Sequence, residues 1–278
     1  MNIITAGVPV YKLAKLEFIR VLTHPLTLII GVFVLVIAFL CGAGGAVNLS
    51  KFEAWGTHPE DVFFIGFGNS LAAISMICMV MAIFLSVTAI PSERWKSSLN
   101  VLLTKPVYRR DFVLGKFAGL SVFMFLFNTF TILATGLMLI IFFREPASGL
   151  EFGWRLIAYI LVLSLSCSIV IALNMLFSLI SRNILFVTAI SVIYVFFDWI
   201  WYNDRLLGTG ILSLISPMNL YYKFIKPFGG DSYAALFNTT ITMGQWLDAV
   251  LPYLVILLIE IAALLLIEIY LFSREDTT

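Results

Sequence analysis

Long apolar runs alternate with short charged clusters along the chain, and the lengths of the runs decide the architecture. Leu26 to Val47 carries no charge over about 22 residues, enough at ~1.5 Å per residue to cross a ~30 Å hydrocarbon core. Comparable runs follow at about 63–90, 117–143, 156–180, 184–202 and 247–272. Helix breakers or charges mark their limits: His24-Pro25, Pro91, Arg144-Glu145-Pro146 and the minimal turn Ser181-Arg182-Asn183, which makes the fourth and fifth runs antiparallel neighbours. The pattern predicts an all-α integral membrane protein with six transmembrane helices and both termini on one side.

Two segments depart from this rhythm. Residues 1–24 are too polar to span, yet Val10, Tyr11, Ala14, Phe18, Val21 and Leu22 recur at spacings of three and four, with Lys12, Lys15, Glu17 and Arg20 around the rest of the turn. This predicts an amphipathic helix in the membrane interface, and the apolar run after it is too long for a signal peptide. Residues 203–246 hold only short apolar stretches, broken by Gly208, Gly210, Pro217, Pro227, Gly229 and Gly230 and rich in rings such as Tyr221, Tyr222 and Phe224. Interfacial or re-entrant pieces at headgroup level are expected there. The plan is an interfacial helix over 1–24 and a transmembrane domain over 25–278, with a polar loop at 91–116 and an outer segment at 203–246.

Composition agrees with a membrane protein: 61% of residues are hydrophobic and 12% charged, against about 25% charged in soluble domains. A net charge of +1 gives no reason to expect nucleic acid as a partner. The placement of the cations says more. Lys12, Lys15, Arg20, Arg94, Lys96, Lys105, Arg109, Arg110, Lys116, Arg182 and Arg274 fall on the side of the termini, and Lys51, Arg144, Arg155, Arg205, Lys223 and Lys226 on the other. Under the positive-inside rule the first side is cytoplasmic, so a multi-pass protein of the cytoplasmic membrane is expected, with cytoplasmic termini and an external 203–246 segment. Cys41, Cys78 and Cys167 all lie in apolar runs and form no CxxC pair, which indicates neither a disulfide framework nor a zinc knuckle.

Catalytic parts are missing. Phe117 follows Gly115-Lys116 where a phosphate loop needs Ser or Thr, and Arg110 stands where it needs its first glycine. With His24 and His58 the sole histidines, and no HExxH or GxSxG, the chain is not expected to be an enzyme or to bind a cofactor. Met76, Cys78 and Met79 offer sulfur of the kind that holds Cu(I), but adjacent residues point apart on a helix and Met commonly fills gaps, so packing is the preferred reading. Glu260, Asn128 and Asn174 lie mid-span and are candidates for a substrate path. The alternatives are a hydrogen-bonded protonated Glu260 and interhelical hydrogen bonds from the asparagines, worth on the order of 1 kcal/mol each, and these are favoured.

The most informative stretch is the charged island Ser92 to Lys116, which carries six cations against Glu93 and Asp111. Ser92 is placed to cap a short helix with Leu99, Leu102 and Leu103 on one side and Arg94 and Lys96 on the other; Lys105-Pro106 breaks it, and a second helix begins near Tyr108 and runs into the third span. Helix, break, helix with an apolar edge suits docking in a partner's groove. The pattern Glu93-Arg94, Leu99, Leu102-Leu103, Thr104, Pro106-Val107, Arg109 and Gly115-Lys116 resembles the cytoplasmic loop of ABC-2 type transporter permeases, with Ser97-Ser98 in place of the usual Gly-Thr. The likeness covers essentially the whole chain and extends to permeases associated with multicopper-enzyme maturation and drug export. It implies a half-transporter that pairs with a second copy of itself, moves substrate outward and uses ATP and Mg held by two separate ABC ATPase subunits. The coupling contact would be Glu93, Arg94, Leu99, Leu102, Leu103, Pro106 and Arg109, with membrane lipid and an external or periplasmic accessory protein as further partners. Two other classes remain open at this point: an ATPase-independent secondary transporter, and a non-conducting membrane partner of a maturation complex.

Overall fold

The computed structural model describes residues 3–54, 59–90, 109–142, 145–146, 148–181, 183–201, 217–227, 236 and 241–274. Among them there is no strand, and the long elements are α1 (Ile3–Leu22), α2 (Pro25–Ala54), α3 (Pro59–Ala89), α4 (Arg109–Phe142), α5 (Gly149–Ile180), α6 (Ile184–Trp201), α7 (Pro217–Ile225) and α8 (Met243–Arg274). The chain is an all-α membrane protein: α2, α3, α4, α5 and α8 are long and apolar enough to cross a bilayer. α6, on the fifth apolar run, has 18 residues, about 27 Å at 1.5 Å per residue.

α5 and α8 begin before their apolar runs, and capping residues explain why. α5 starts at Gly149 because the Ser148 side chain accepts from the Glu151 amide at 3.4 Å. α8 starts at Met243 behind a reciprocal pair in which the Thr242 amide donates to Gln245 Oε1 at 3.1 Å and the Gln245 amide to Thr242 Oγ1 at 3.4 Å. Both are S/T-x-x-E/Q sequences, in which a side-chain oxygen satisfies an amide that the first helical turn leaves unpaired.

α4 and α5 form the centre. α4 packs against α1, α2, α3, α5 and α8, and α5 against α3, α4, α6, α7 and α8. In lipid, burial of apolar surface no longer separates inside from outside, so close approach and polar contacts must hold helices together. The chain uses both. Gly42 of α2 lies under the backbone of α4, where a Cβ would stand 3.0 Å from the Met138 carbonyl oxygen. Asn128 of α4 donates to Ser164 of α5 at 3.3 Å, and Asn174 of α5 donates to Ser86 of α3 at 3.1 Å. Leu28, Ile29, Val32 and Phe33 of α2 and Leu251, Leu258 and Ile259 of α8 remain exposed.

The first helix differs from its sequence reading. Its expected stripe splits: Phe18 meets Phe123 of α4 at 6.0 Å and Val21 is buried, whereas Tyr11 is 69% exposed and Leu22 55%. Glu17, assigned to the polar side, is 5% exposed. α1 therefore uses one face against α4 and leaves Tyr11, Leu16, Ile19 and Leu22 on the other, beside exposed Lys12 and Lys15. The outer-segment aromatics also change place, since Tyr221 and Phe224 of α7 are 4% and 0% exposed and sit inside the bundle instead of around its rim.

Candidate functional site

Glu93, Arg94, Leu99, Leu102, Leu103 and Pro106 lie outside the described residues, and Arg109 is described through its backbone as the first residue of α4. What the structure does describe is the root from which the island grows. α3 ends at Ala89 and α4 begins at Arg109, and Lys116, two turns into α4, ties these ends together. Its Nζ donates to the Ala89 carbonyl at 2.8 Å and to Glu17 Oε2 of α1 at 3.1 Å, and it stands 5.2 Å from the centre of the Phe112 ring. Arg20 pairs with the other oxygen of Glu17. A cation against the last carbonyls of α3 meets acceptors that the helix cannot satisfy itself and that carry the negative end of its dipole.

Two glycines let α1 come close enough for this ion pair. A Cβ on Gly115 would lie 2.6 Å from Leu13 Cβ, and one on Gly119 would lie 2.6 Å from the Ala14 carbonyl oxygen. The small-x-x-x-small spacing thus brings α1 backbone to α4 backbone and sets Lys116 opposite Glu17. α8 reaches the same place through Phe272, stacked on Phe112 with ring centroids 5.5 Å apart. Asp111, 3% exposed, completes the first turn of α4, where the helix dipole favours an acid, with Arg110 Nε 3.4 Å from its Oδ1. Four helices, α1, α3, α4 and α8, are joined at this root.

Substituting Gly119 by alanine is expected to cost about 1–3 kcal/mol, because the methyl meets a backbone oxygen that cannot move unless α1 moves. Gly153→Ala in α5 is the control: a Cβ there has nothing within 4 Å, so the variant should be at least as stable as the parent. Thermal unfolding of the two purified variants in detergent measures the difference.

The far end of the bundle has a polar node of its own. Arg155, counted above among loop cations, is 1% exposed inside α5. Its Nε donates to Glu151 Oε1 at 3.0 Å, Nη1 to the Leu236 carbonyl at 2.5 Å and Nη2 to the Ile241 carbonyl at 2.9 Å. One turn further in, the Tyr159 hydroxyl donates to the Leu71 carbonyl of α3 at 3.1 Å and lies 2.7 Å from the Tyr221 hydroxyl of α7. Trp246 Nε1 donates to the Phe224 carbonyl at 2.9 Å. Burial raises the Tyr221 phenol well above the ordinary tyrosine value, which keeps it a proton donor.

The remaining candidates are dispersed. Asn128 also approaches Cys167 Sγ at 3.7 Å, and among the described residues its Oδ1 has no partner. Glu260 is half-buried on α8 and Glu268, two turns on, is fully buried; among the described residues one oxygen of Glu260 and both of Glu268 have no hydrogen-bond partner. Cys78 faces Thr131 at 3.8 Å, Met79 is buried and Met76 partly exposed. Sequence reasoning missed the Glu17–Lys116 pair, although an acid interrupting the α4-facing side of α1 was its signal. It also missed Arg155, for which the Glu151/Arg155 spacing of four was the clue.

A family model described as ABC-2 family transporter protein matches residues 11–277. No curated protein matches the chain.

Proposed function

The chain belongs to the ABC-2 family of transporter proteins, and from its place as the membrane permease of an ABC transporter we propose that it works as a half-transporter driven through the island. Two copies pair, each receives a separate ATPase subunit at Glu93 to Leu103, and substrate leaves on the side opposite the island. ATP and Mg stay in the partner. The observation that supports this reading is the root, where Lys116 joins α1, the end of α3 and the start of α4 through contacts of 2.8 and 3.1 Å, at the two helix ends that the island connects in sequence.

In this mechanism the island is the lever and the root its fulcrum. When the partner ATPases close on ATP, they displace the island; because Ala89 and Glu17 are both bonded to Lys116, α3, α4 and α1 tilt as one body. Hydrolysis releases the tilt. The N-terminal helix then serves as an outrigger that limits how far α4 tilts from the membrane normal, an office suited to a helix with Lys12 and Lys15 beside exposed Leu16 and Ile19.

The test is co-purification of the partner ATPase with the parent and with a variant carrying Glu93→Ala, Leu99→Lys and Leu102→Lys. The retained ATPase is expected to fall at least ~10-fold, since such a helix-in-groove contact loses its apolar anchors. Undiminished retention would remove the island from the contact and the proposal with it.

A further inference from the structure

α8 buries one seam, made of Trp246, Val250, Leu257, Ile261, Glu268 and Phe272, with spacings that alternate between four and seven as in a helix-packing stripe. Five members are apolar or aromatic and the sixth is an acid. Glu268 is fully buried, and among the described residues neither of its oxygens has a hydrogen-bond partner. An ionised carboxylate cannot be kept in such a place without a partner, so Glu268 holds its proton. Its level in the bundle follows from the Phe112–Phe272 stack, in which the ring centroids are 5.5 Å apart. One helical turn further into the membrane from Phe272 is Glu268, and one turn further in from Phe112, on α4, is Lys116. The lysine and the unpartnered acid thus stand at one level on two helices that pack together.

Lys116 is engaged elsewhere, with Glu17 Oε2 at 3.1 Å and the Ala89 carbonyl at 2.8 Å. Glu17 has a second cation, because Arg20 pairs with its other oxygen. The root therefore sets an acid with two cations and an acid with none within a turn of the same ring stack. If Lys116 leaves Glu17, Arg20 still compensates that charge; if it reaches Glu268, it compensates the charge that appears when Glu268 gives up its proton. Neither position strands a buried ion. An ammonium carries three protons on a flexible four-carbon stem, so it can change acids and keep the Ala89 carbonyl. The neighbouring charges do not compete: Asp111 lies about 140° round α4 from Lys116 at ~100° per residue, beside Arg110 Nε at 3.4 Å, and Arg274 is exposed over the Tyr270 ring at 4.7 Å.

We propose that Lys116 is a switch between two carboxylates, Glu17 of α1 at rest and Glu268 of α8 when the island is displaced, so that the hold on α4 passes from the N-terminal helix to the last one. That the partner ATPase drives the exchange rests on the transporter reading given above. At the limit of tilt set by α1, Lys116 leaves Glu17, Glu268 releases its proton to the water on the island side, and the new ion pair draws α8 against α4. On reset the proton returns to Glu268 from the same side and Lys116 goes back to Glu17.

A double-variant melting cycle in detergent tests the switch without nucleotide. Glu268→Gln, which imitates the neutral acid, should melt within about 1 °C of the parent, and Glu17→Gln should melt only slightly lower, because Lys116 turns to Glu268. Together they leave Lys116 buried without an acid, and the melting temperature should fall at least ~6 °C beyond the sum of the single shifts. Infrared spectroscopy of the single variants reads the same exchange even where the double variant does not fold. The carbonyl band of protonated Glu268, absent from Glu268→Gln and retained in Glu260→Gln, should be present in the parent and lost in Glu17→Gln. Additive melting shifts overturn the switch, as does a band that survives in Glu17→Gln. The parent bound to its partner ATPase and a non-hydrolysable ATP analogue should lose the band as well. If Glu17→Gln loses it and the nucleotide-bound parent does not, the switch stands and the ATP-driven reading fails.

Discussion

Lys116→Met is expected to uncouple the protein while destabilising it by about 3–5 kcal/mol, the cost of breaking a buried ion pair by removing one partner. The value should fall towards the lower end, because Arg20 still pairs with Glu17 when Lys116 is gone. The Ala89 carbonyl, held at 2.8 Å by Lys116, loses that donor, so the end of α3 is held less tightly against α4. Nucleotide hydrolysis by the bound ATPase should continue and its coupling to transport should cease. A double variant, Glu17→Gln with Lys116→Met, separates charge from attachment. Removing both charges is nearly neutral for a buried pair, so melting temperature should largely recover, whereas coupling should not, since the link to Ala89 is still missing. Recovery of both would show that Lys116 matters for charge balance alone.

The second large effect is at Arg155. Arg155→Met leaves the Leu236 and Ile241 carbonyls without the guanidinium they share, at about 1–3 kcal/mol for each buried group. Arg155→Lys restores the charge but not the planar fork that reaches two carbonyls and Glu151 together, so it should recover less than half of the loss. Hydrogen exchange of the amides in 241–246 measures this locally: exchange in the first turn of α8 should accelerate in Arg155→Met while the middle of α5 stays protected.

The helices were legible because hydrophobic run length is a strong signal in a bilayer, where no other element satisfies its own backbone. Their starts were less so. Ser148 and Thr242 carry complete capping signatures, but in a chain this apolar the eye follows hydropathy and puts the boundary where the grease begins. Positions where polar residues are buried were the hardest. Arg155 reads as a loop cation beside a turn, and only its Leu236 and Ile241 partners, 81 and 86 residues away, show that it belongs inside. Gly115 and Lys116 could be recognised as a pattern without any reason for the pattern. The reason is spatial: one removes a side chain so that α1 can approach, and the next supplies the ion that fastens it.

The stack of Phe112 on Phe272 joins the first turn of α4 to the last turns of α8, 160 positions later. During synthesis the ribosome delivers α1, α3 and α4 long before α8, so the root can gather early but cannot be finished until the final helix has entered the bilayer. On the proposed reading, in which the island receives the ATPase, a chain stalled or clipped before α8 is expected to retain less of that partner than the full chain, and co-purification of the two measures the difference.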